Sequence, residues 1–217
     1  MKTKTLYLLS LLLFTFITLN AAETVKKEVR RIDSFKNINV GSAFVVYLSQ
    51  GNKQAVTVET EDKYIDKIQT TVKNGTLHIE LKNLKERNNR GPKTMNVYIT
   101  IPEIKNVEAT GAVQIKMQTP LKSKETVSFG LSGASKLNDL ILNCKKFELN
   151  LSGASKLSVD LTADEINANV SGASKLTVSG TVDVADIDAS GASKVDVRNF
   201  TCNKGDFNSS GASKFQK

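Results

Sequence analysis

The stretch Ser132-Gly133-Ala134-Ser135-Lys136 decides the fold, because it returns unchanged at Ser152–Lys156, Ser171–Lys175, Ser190–Lys194 and Ser210–Lys214. Its glycines, Gly133, Gly153, Gly172, Gly191 and Gly211, recur at intervals of twenty, nineteen, nineteen and twenty, and a weaker copy, Gly111-Ala112-Val113-Gln114, lies twenty-two positions before the first. A period near 20 with no proline, rich in Val, Leu, Ile, Ser, Thr and Asn, fits one turn of a β-solenoid. Leucine-rich repeats share the period, but their LxxLxLxxN pattern is missing. The expected fold is therefore all-β, a parallel β-helix with about 19–22 residues per turn, right-handed by the general rule for parallel β crossovers.

Stacked turns require chemically consistent columns. Four residues after each glycine stand Ile115, Leu137, Leu157, Leu176, Val195 and Phe215, an apolar column that should point inward. Four before the next glycine come Leu149, Ala168, Ile187 and Phe207, and six before it Phe147, Ile166, Ala185 and Gly205, with Glu148, Asn167, Asp186 and Asp206 between them. That alternation belongs to a half-buried strand. Asn150, Asn169, Asp188 and Asn208 form a further column, suited to bonding along a stack or to the backbone at a bend.

At the repeated corner, glycine supplies a tight turn or a positive φ, alanine fits where the chain doubles over its neighbours, serine hydroxyls bridge adjacent turns, and lysine faces solvent. A nucleophilic Ser-Lys pair is a poor reading, since the SxxK spacing of penicillin-binding enzymes would need Lys where Ser135 stands, and an enzyme needs one site rather than five. The glycines also lack the GxxxxGK[ST] setting of a phosphate loop. Cys144 and Cys202 each stand eleven positions after a repeat glycine, three turns apart. At roughly 4.8 Å per turn this is about 14 Å, too far for a disulfide. Both are read as free thiols and small buried hydrophobes in a column with Ala163 and Val182; the alternative is an exposed thiol that cross-links two chains.

The 217 residues suffice to bury a real core, and 24% charged with 40% apolar residues sets aside a disordered or membrane-embedded chain. Two Cys and one His leave no room for a Cys/His zinc cluster or an iron–sulfur site, and no metal or cofactor is expected. Lys2 and Lys4, the apolar and hydroxyl run from Leu6 to Leu19, and Asn20-Ala21-Ala22 read as a secretory signal peptide over residues 1–22. The run is short of the roughly 20 residues that span a bilayer, so a membrane anchor is the weaker reading, and no cysteine near the site offers a lipid attachment point. Removing Lys2 and Lys4 takes the net charge from +8 to +6. The mature chain, 23–217, is expected to be one exported domain without a transmembrane segment, residing in the periplasm, on the outer-membrane surface or outside the cell. Within it, residues 23–110 are expected to form irregular β turns and 111–217 the regular repeat.

The first half reads as short strands: Phe44–Leu48, Ala55–Glu59, Leu77–Leu81 and Val97–Ile101, separated by Gln50-Gly51-Asn52, Asn74-Gly75 and the Asn88–Pro92 stretch. Asp62–Ile68 hints at a helical turn. His78, between Leu77 and Ile79, should face water, and Lys82–Lys93 reads as a solvated basic loop. The order Phe35–Ile38, Gly41-Ser-Ala-Phe-Val-Val-Tyr-Leu-Ser-Gln-Gly51, Val56–Glu59, the Lys73–Leu77 hairpin, Val97–Pro102 and the repeated Ser-Gly-Ala-Ser turns resembles the head GIN domain family over residues 32–217. The resemblance implies a β-helix-like fold and an adhesive role at the surface or in the periplasm of Bacteroidetes-type bacteria. It brings no catalytic residues.

Two functions compete. In the first, the chain is a non-enzymatic structural or adhesive module, whose lysine column (Lys136, Lys156, Lys175, Lys194 and Lys214) contacts an anionic glycan, another envelope polymer or a surface protein. The bland account of that column is solubility and blocked edge pairing, with the acidic column offsetting its charge. The alternative is a pectate-lyase-like polysaccharide enzyme, which would need a polar cluster that differs from turn to turn, whereas the regular turns repeat the same residues. No nucleic-acid partner is expected, since basic and aromatic residues do not interleave. The turn after Gly211 is expected to expose a strand edge suited to end-to-end or face-to-face packing.

Overall fold

The computed structural model describes residues 24–82 and 91–216. The expected signal peptide and residues 83–90 of the basic loop lie outside them. Each regular repeat is one long, twice-bent strand: β12 (Lys136–Leu151), β13 (Lys156–Val170), β14 (Lys175–Ala189) and β15 (Lys194–Ser209), each parallel to the next over nearly its whole length. The short β16 (Lys214–Gln216) follows on β15, and β11 (Thr126–Gly133), β10 (Leu121–Lys122) and β9 (Gln114–Met117) lie against β12. This is the expected parallel β-solenoid.

The stack reaches further back than the repeat itself. β8 (Asn106–Gly111) pairs with β11, β2 (Asn37–Val40) with β8, and β3 (Val45–Gln50) with β9, all parallel. β6 (Thr76–Leu81) and β7 (Met95–Ile101) then add in parallel to β2 and β3. Antiparallel strands close this end: β5 (Ile68–Lys73) on β6 through the Asn74-Gly75 turn, and β4 (Ala55–Glu61) on β7, followed by β1 (Val25–Val29) on β4. The sole helical turn among the described residues, Asp62–Lys67, lies where the sequence hints at it and buries Tyr64 and Ile65.

The corner explains the invariant glycine. Gly133, Gly153, Gly172, Gly191 and Gly211 have φ between +69 and +73, and Gly111 has +107. Space forbids a side chain as well: a Cβ on Gly133, Gly153 or Gly172 would sit 2.4–2.5 Å from the carbonyl oxygen of the preceding corner glycine. That carbonyl accepts the next alanine's N–H, at 2.6 Å for Ala134 and 2.7 Å for Ala154 and Ala173. Ser42, with φ +66 and its carbonyl accepting from Ala112 N–H at 2.7 Å, occupies the same column at the first corner. The corner alanines are exposed, not wedged between turns as the sequence suggests. The second serine of each repeat is the interior one. Ser135, Ser155, Ser174 and Ser193 are 1% exposed, and hydroxyls such as Ser193 Oγ donate to a carbonyl one turn back, here Val170 at 3.2 Å.

The expected inward columns form the core. Leu137, Leu157, Leu176 and Val195, Leu149, Ala168 and Ile187, and Phe147, Ile166 and Ala185 are all buried, while Phe207 and Phe215 are half-buried and stack edge to face. Gly205 interrupts its column because the Phe207 ring lies over it, 2.4 Å from where a Cβ would be. Turn length also has a structural meaning. Between Leu137 and Leu140 two residues of β12 face one of β13, and Val197 and Arg198 of β15 likewise face one residue of β14. These bulges fall in the two longer turns, those from Gly133 to Gly153 and from Gly191 to Gly211, while the shorter turns between them, carrying β13 and β14, keep one register throughout.

Gly172→Ala should lower stability by about 3 kcal/mol, from left-handed backbone cost and collision with the neighbouring turn. Ser42→Gly should not lower it. Urea unfolding midpoints of the two variants check this pair.

Candidate functional site

The five repeat lysines stand in one row along the outside of the leg that follows the corner. Lys136 pairs with Lys156, Lys156 with Lys175, Lys175 with Lys194, and Lys194 with Lys214. Neighbours are therefore about one strand spacing, roughly 4.8 Å, apart along the backbone. Lys136 and Lys214 are exposed; the stems of the other three are half-buried. The row continues beyond the repeat through Gln114, Val45, Asn96 and Glu59 to Lys27.

The acidic column lies on the other leg, before the corner, and answers to a different cation. Lys146 Nζ approaches Glu148 and Glu165 at 3.5 and 3.2 Å, and these carboxylates, Glu165 first, raise its pKa. Among the described residues none of the five row lysines forms an ion pair. Lys175 acts weakly on Asp196, whose carboxylate is gripped by Arg198 at 2.9 and 2.7 Å. This grip pulls the Asp196 pKa down to about 2.

Beside the head of the row is an aromatic cluster that no sequence motif announces. Tyr47 and Tyr98, facing residues of β3 and β7, stack with centroids 4.7 Å apart and planes 10° from parallel. The Tyr98 hydroxyl donates to Glu59 at 2.6 Å, Asn96 Nδ2 donates to the same oxygen at 2.9 Å, and Lys27 lies 3.3 Å from the other. The Tyr98 bond holds Glu59 below the usual carboxylate range and, with burial, lifts Tyr98 to about 12. Lys27 sits 4.8 Å over the Tyr98 ring and Lys116 5.2 Å over the Tyr47 ring. The signal in the sequence was the placing of Tyr47 and Tyr98 at outward strand positions, informative only once β3 and β7 are known to be neighbours.

The cysteines occupy one ladder: Cys144 faces Ala163, then Val182, then Cys202. Both are free, Cys144 buried and Cys202 half-buried, and burial pushes the Cys144 thiol up to about 12. His78 is half-buried between neighbours Asn39 and Thr71, away from the lysine row. No group of three or more His, Cys, Asp or Glu among the described residues could hold a metal ion, and no helix among them is long and apolar enough to cross a membrane.

A β-solenoid with one basic outer row is thus the class of protein that the geometry defines. The chain belongs to the family described as "putative auto-transporter adhesin, head GIN domain", whose pattern matches residues 34–216. No curated protein matches it. Among solved structures, it is similar to a protein described as a putative adhesin from Parabacteroides distasonis (14% identity, TM-score 0.74, 89% of this chain and 97% of that one). It is also similar to one described as a putative lipid binding protein from the same species (16%, TM-score 0.69, 88% and 95%). A putative adhesin from Bacteroides fragilis gives 17% identity and a TM-score of 0.68, over 89% and 97% of the two chains. At these identities the likeness is one of fold.

Two measurements test the local chemistry. A thiol reagent should label Cys202 in the folded protein and Cys144 only after denaturation, as mass spectrometry of the labelled peptides would read. Because the Asp196 pKa is depressed, the stabilisation it carries is complete above the ordinary value of about 4 and is lost as pH falls through about 2. Arg198→Gln should therefore move the acid-unfolding midpoint, followed by circular dichroism, to higher pH.

Proposed function

We propose that this chain is an exported, non-enzymatic adhesion module that holds an anionic glycan along its lysine row. The observation that carries the reading is the in-register line of Lys136, Lys156, Lys175, Lys194 and Lys214. Five like charges at strand spacing repel one another by up to about 0.9 kcal/mol per neighbouring pair in water before screening. The row lacks carboxylate partners of its own among the described residues, so a polymer with regularly placed negative groups would relieve that repulsion along its whole length. Rigidity of the stack favours this, because the lysine backbones are already spaced and little ordering remains to be done on binding.

The family's adhesin name and the adhesin descriptions of similar structures support a surface or exported role and a binding rather than a catalytic one. Repetition supports it too: each regular turn presents the same lysine to solvent, which suits a ligand that itself repeats.

Mature protein, residues 23–217, should bind acidic glycans on an array of envelope and host saccharides, more strongly at low than at physiological salt. Replacing Lys156, Lys175 and Lys194 with Gln should abolish that binding while the circular dichroism spectrum is unchanged. Binding that survives the replacement, or shows no salt dependence, would overturn the proposal.

A further inference from the structure

At its head the lysine row borders a cleft. β9 ends at Met117, and one strand on, the bulge at Asn138 and Asp139 interrupts the ladder of β12 with β13 before it resumes at Leu140. Asp139 has φ +57, and its N–H donates to Ser158 Oγ at 2.9 Å instead of to a strand partner. The cleft is about 370 Å³ and is lined by Gln114, Lys116, Lys136, Asn138 and Asp139 together with the apolar Ile115 and Met117. This volume lies at the lower end of small-ligand sites, and bulged, positive-φ positions are where strands re-aim side chains toward a ligand.

The chemistry of the lining is mixed in a particular way. Lys136 belongs to the row. Lys116 is the next cation, held over the Tyr47 ring, which is stacked on Tyr98, which is bonded to Glu59. An ammonium steadied on a ring loses less freedom when it takes a ligand than one on a free stem. With these two donors the lining holds one carboxylate acceptor, Asp139, and the side-chain amides of Gln114 and Asn138, which both donate and accept. Met117 gives one apolar edge. A bare polyanion would meet the lysines but be repelled by Asp139, and would leave the amides unused. A sugar that carries a carboxylate and several hydroxyls satisfies every group.

We propose that this cleft is the subsite for one acidic saccharide unit, its carboxylate between Lys116 and Lys136 and its ring hydroxyls donating to Asp139 and exchanging hydrogen bonds with Asn138 and Gln114. The inference rests on the reading of the lysine row as the seat of an anionic glycan, and gives that row a head that tells glycans from other polyanions.

The test uses mature protein, free glucuronate, a polyuronate and a polyphosphate of matched charge, with affinities read by calorimetry and by NMR shifts. Asp139→Asn keeps a residue type that tolerates positive φ and removes the carboxylate; Lys116→Gln removes the steadied cation; Lys175→Gln with Lys194→Gln alters the row away from the cleft. Glucuronate affinity should fall roughly tenfold in each cleft variant and stay unchanged in the row variant. The preference for polyuronate over polyphosphate should shrink toward one in Asp139→Asn, while the row variant weakens both polymers alike. Polyuronate binding that weakens in the row variant but not in the cleft variants would overturn the subsite and leave the row standing. Failure of both polymers to bind would overturn the row, and glucuronate that does not bind, or binds all variants equally, would overturn the subsite by itself.

Discussion

The structure depends on one contact, the carbonyl of each corner glycine accepting the N–H of the next turn's alanine while facing an empty Cβ position. At Gly133, Gly153 and Gly172 this carbonyl would lie 2.4–2.5 Å from a Cβ and leaves no room for any other residue; at Gly191 and Gly211 the gap widens to 2.8 and 3.1 Å, and there φ near +70 is the stronger bar to a side chain. Because the same bond repeats, each corner is set on the last without a slip in register. The buried serine beside it ties the corner from within, so this polar ladder inside the core has carbonyl partners at most of its steps. Ser42 meets the same backbone requirement at the first corner, where it is exposed.

Everything outside the core inherits that placement. A lysine one residue past the corner serine must stand above the lysine of the turn before, whatever its own energetics, and the result is a line of charge at the spacing of a β-ladder. The acidic residues obey the same rule on the other leg. The Glu148 column is thereby kept off the lysine leg, which is why it does not neutralise the lysines and Glu148 instead pairs with Lys146.

Much of this was legible in the repeat. The period, the inward columns, the lysine row and the cysteine ladder all follow from counting, because every turn reports on the same geometry and the five copies average out local noise. What counting missed was of two kinds. Alanine at the corner looks like a packing residue and is exposed; its smallness alone did not reveal which way it points. The Tyr47 and Tyr98 stack, and the continuation of the row into Gln114, Asn96 and Glu59, depend on β7 lying beside β3 although long stretches of chain separate them, and no local pattern encodes that neighbour relation. The bulge at Asp139 was present in the numbering all along. A longer turn stacked on a shorter one must hold its extra residue somewhere, and a break in the ladder is the least costly place for it.

Near-identical corners also make length a separable property of the molecule. Cutting the chain at Gly153 and rejoining it at Gly172 would remove one unbulged turn, bring Leu151 and Ser152 onto a corner of the same shape, and leave every column continuous. The shortened molecule would have four lysines in line instead of five, with the hairpin-closed end untouched and Thr177 taking the place of Ser158 beside the Asp139 bulge. Recombination between repeats can thus act on this gene as a ruler with one-turn graduations, changing how far the binding line reaches without redesigning what it binds.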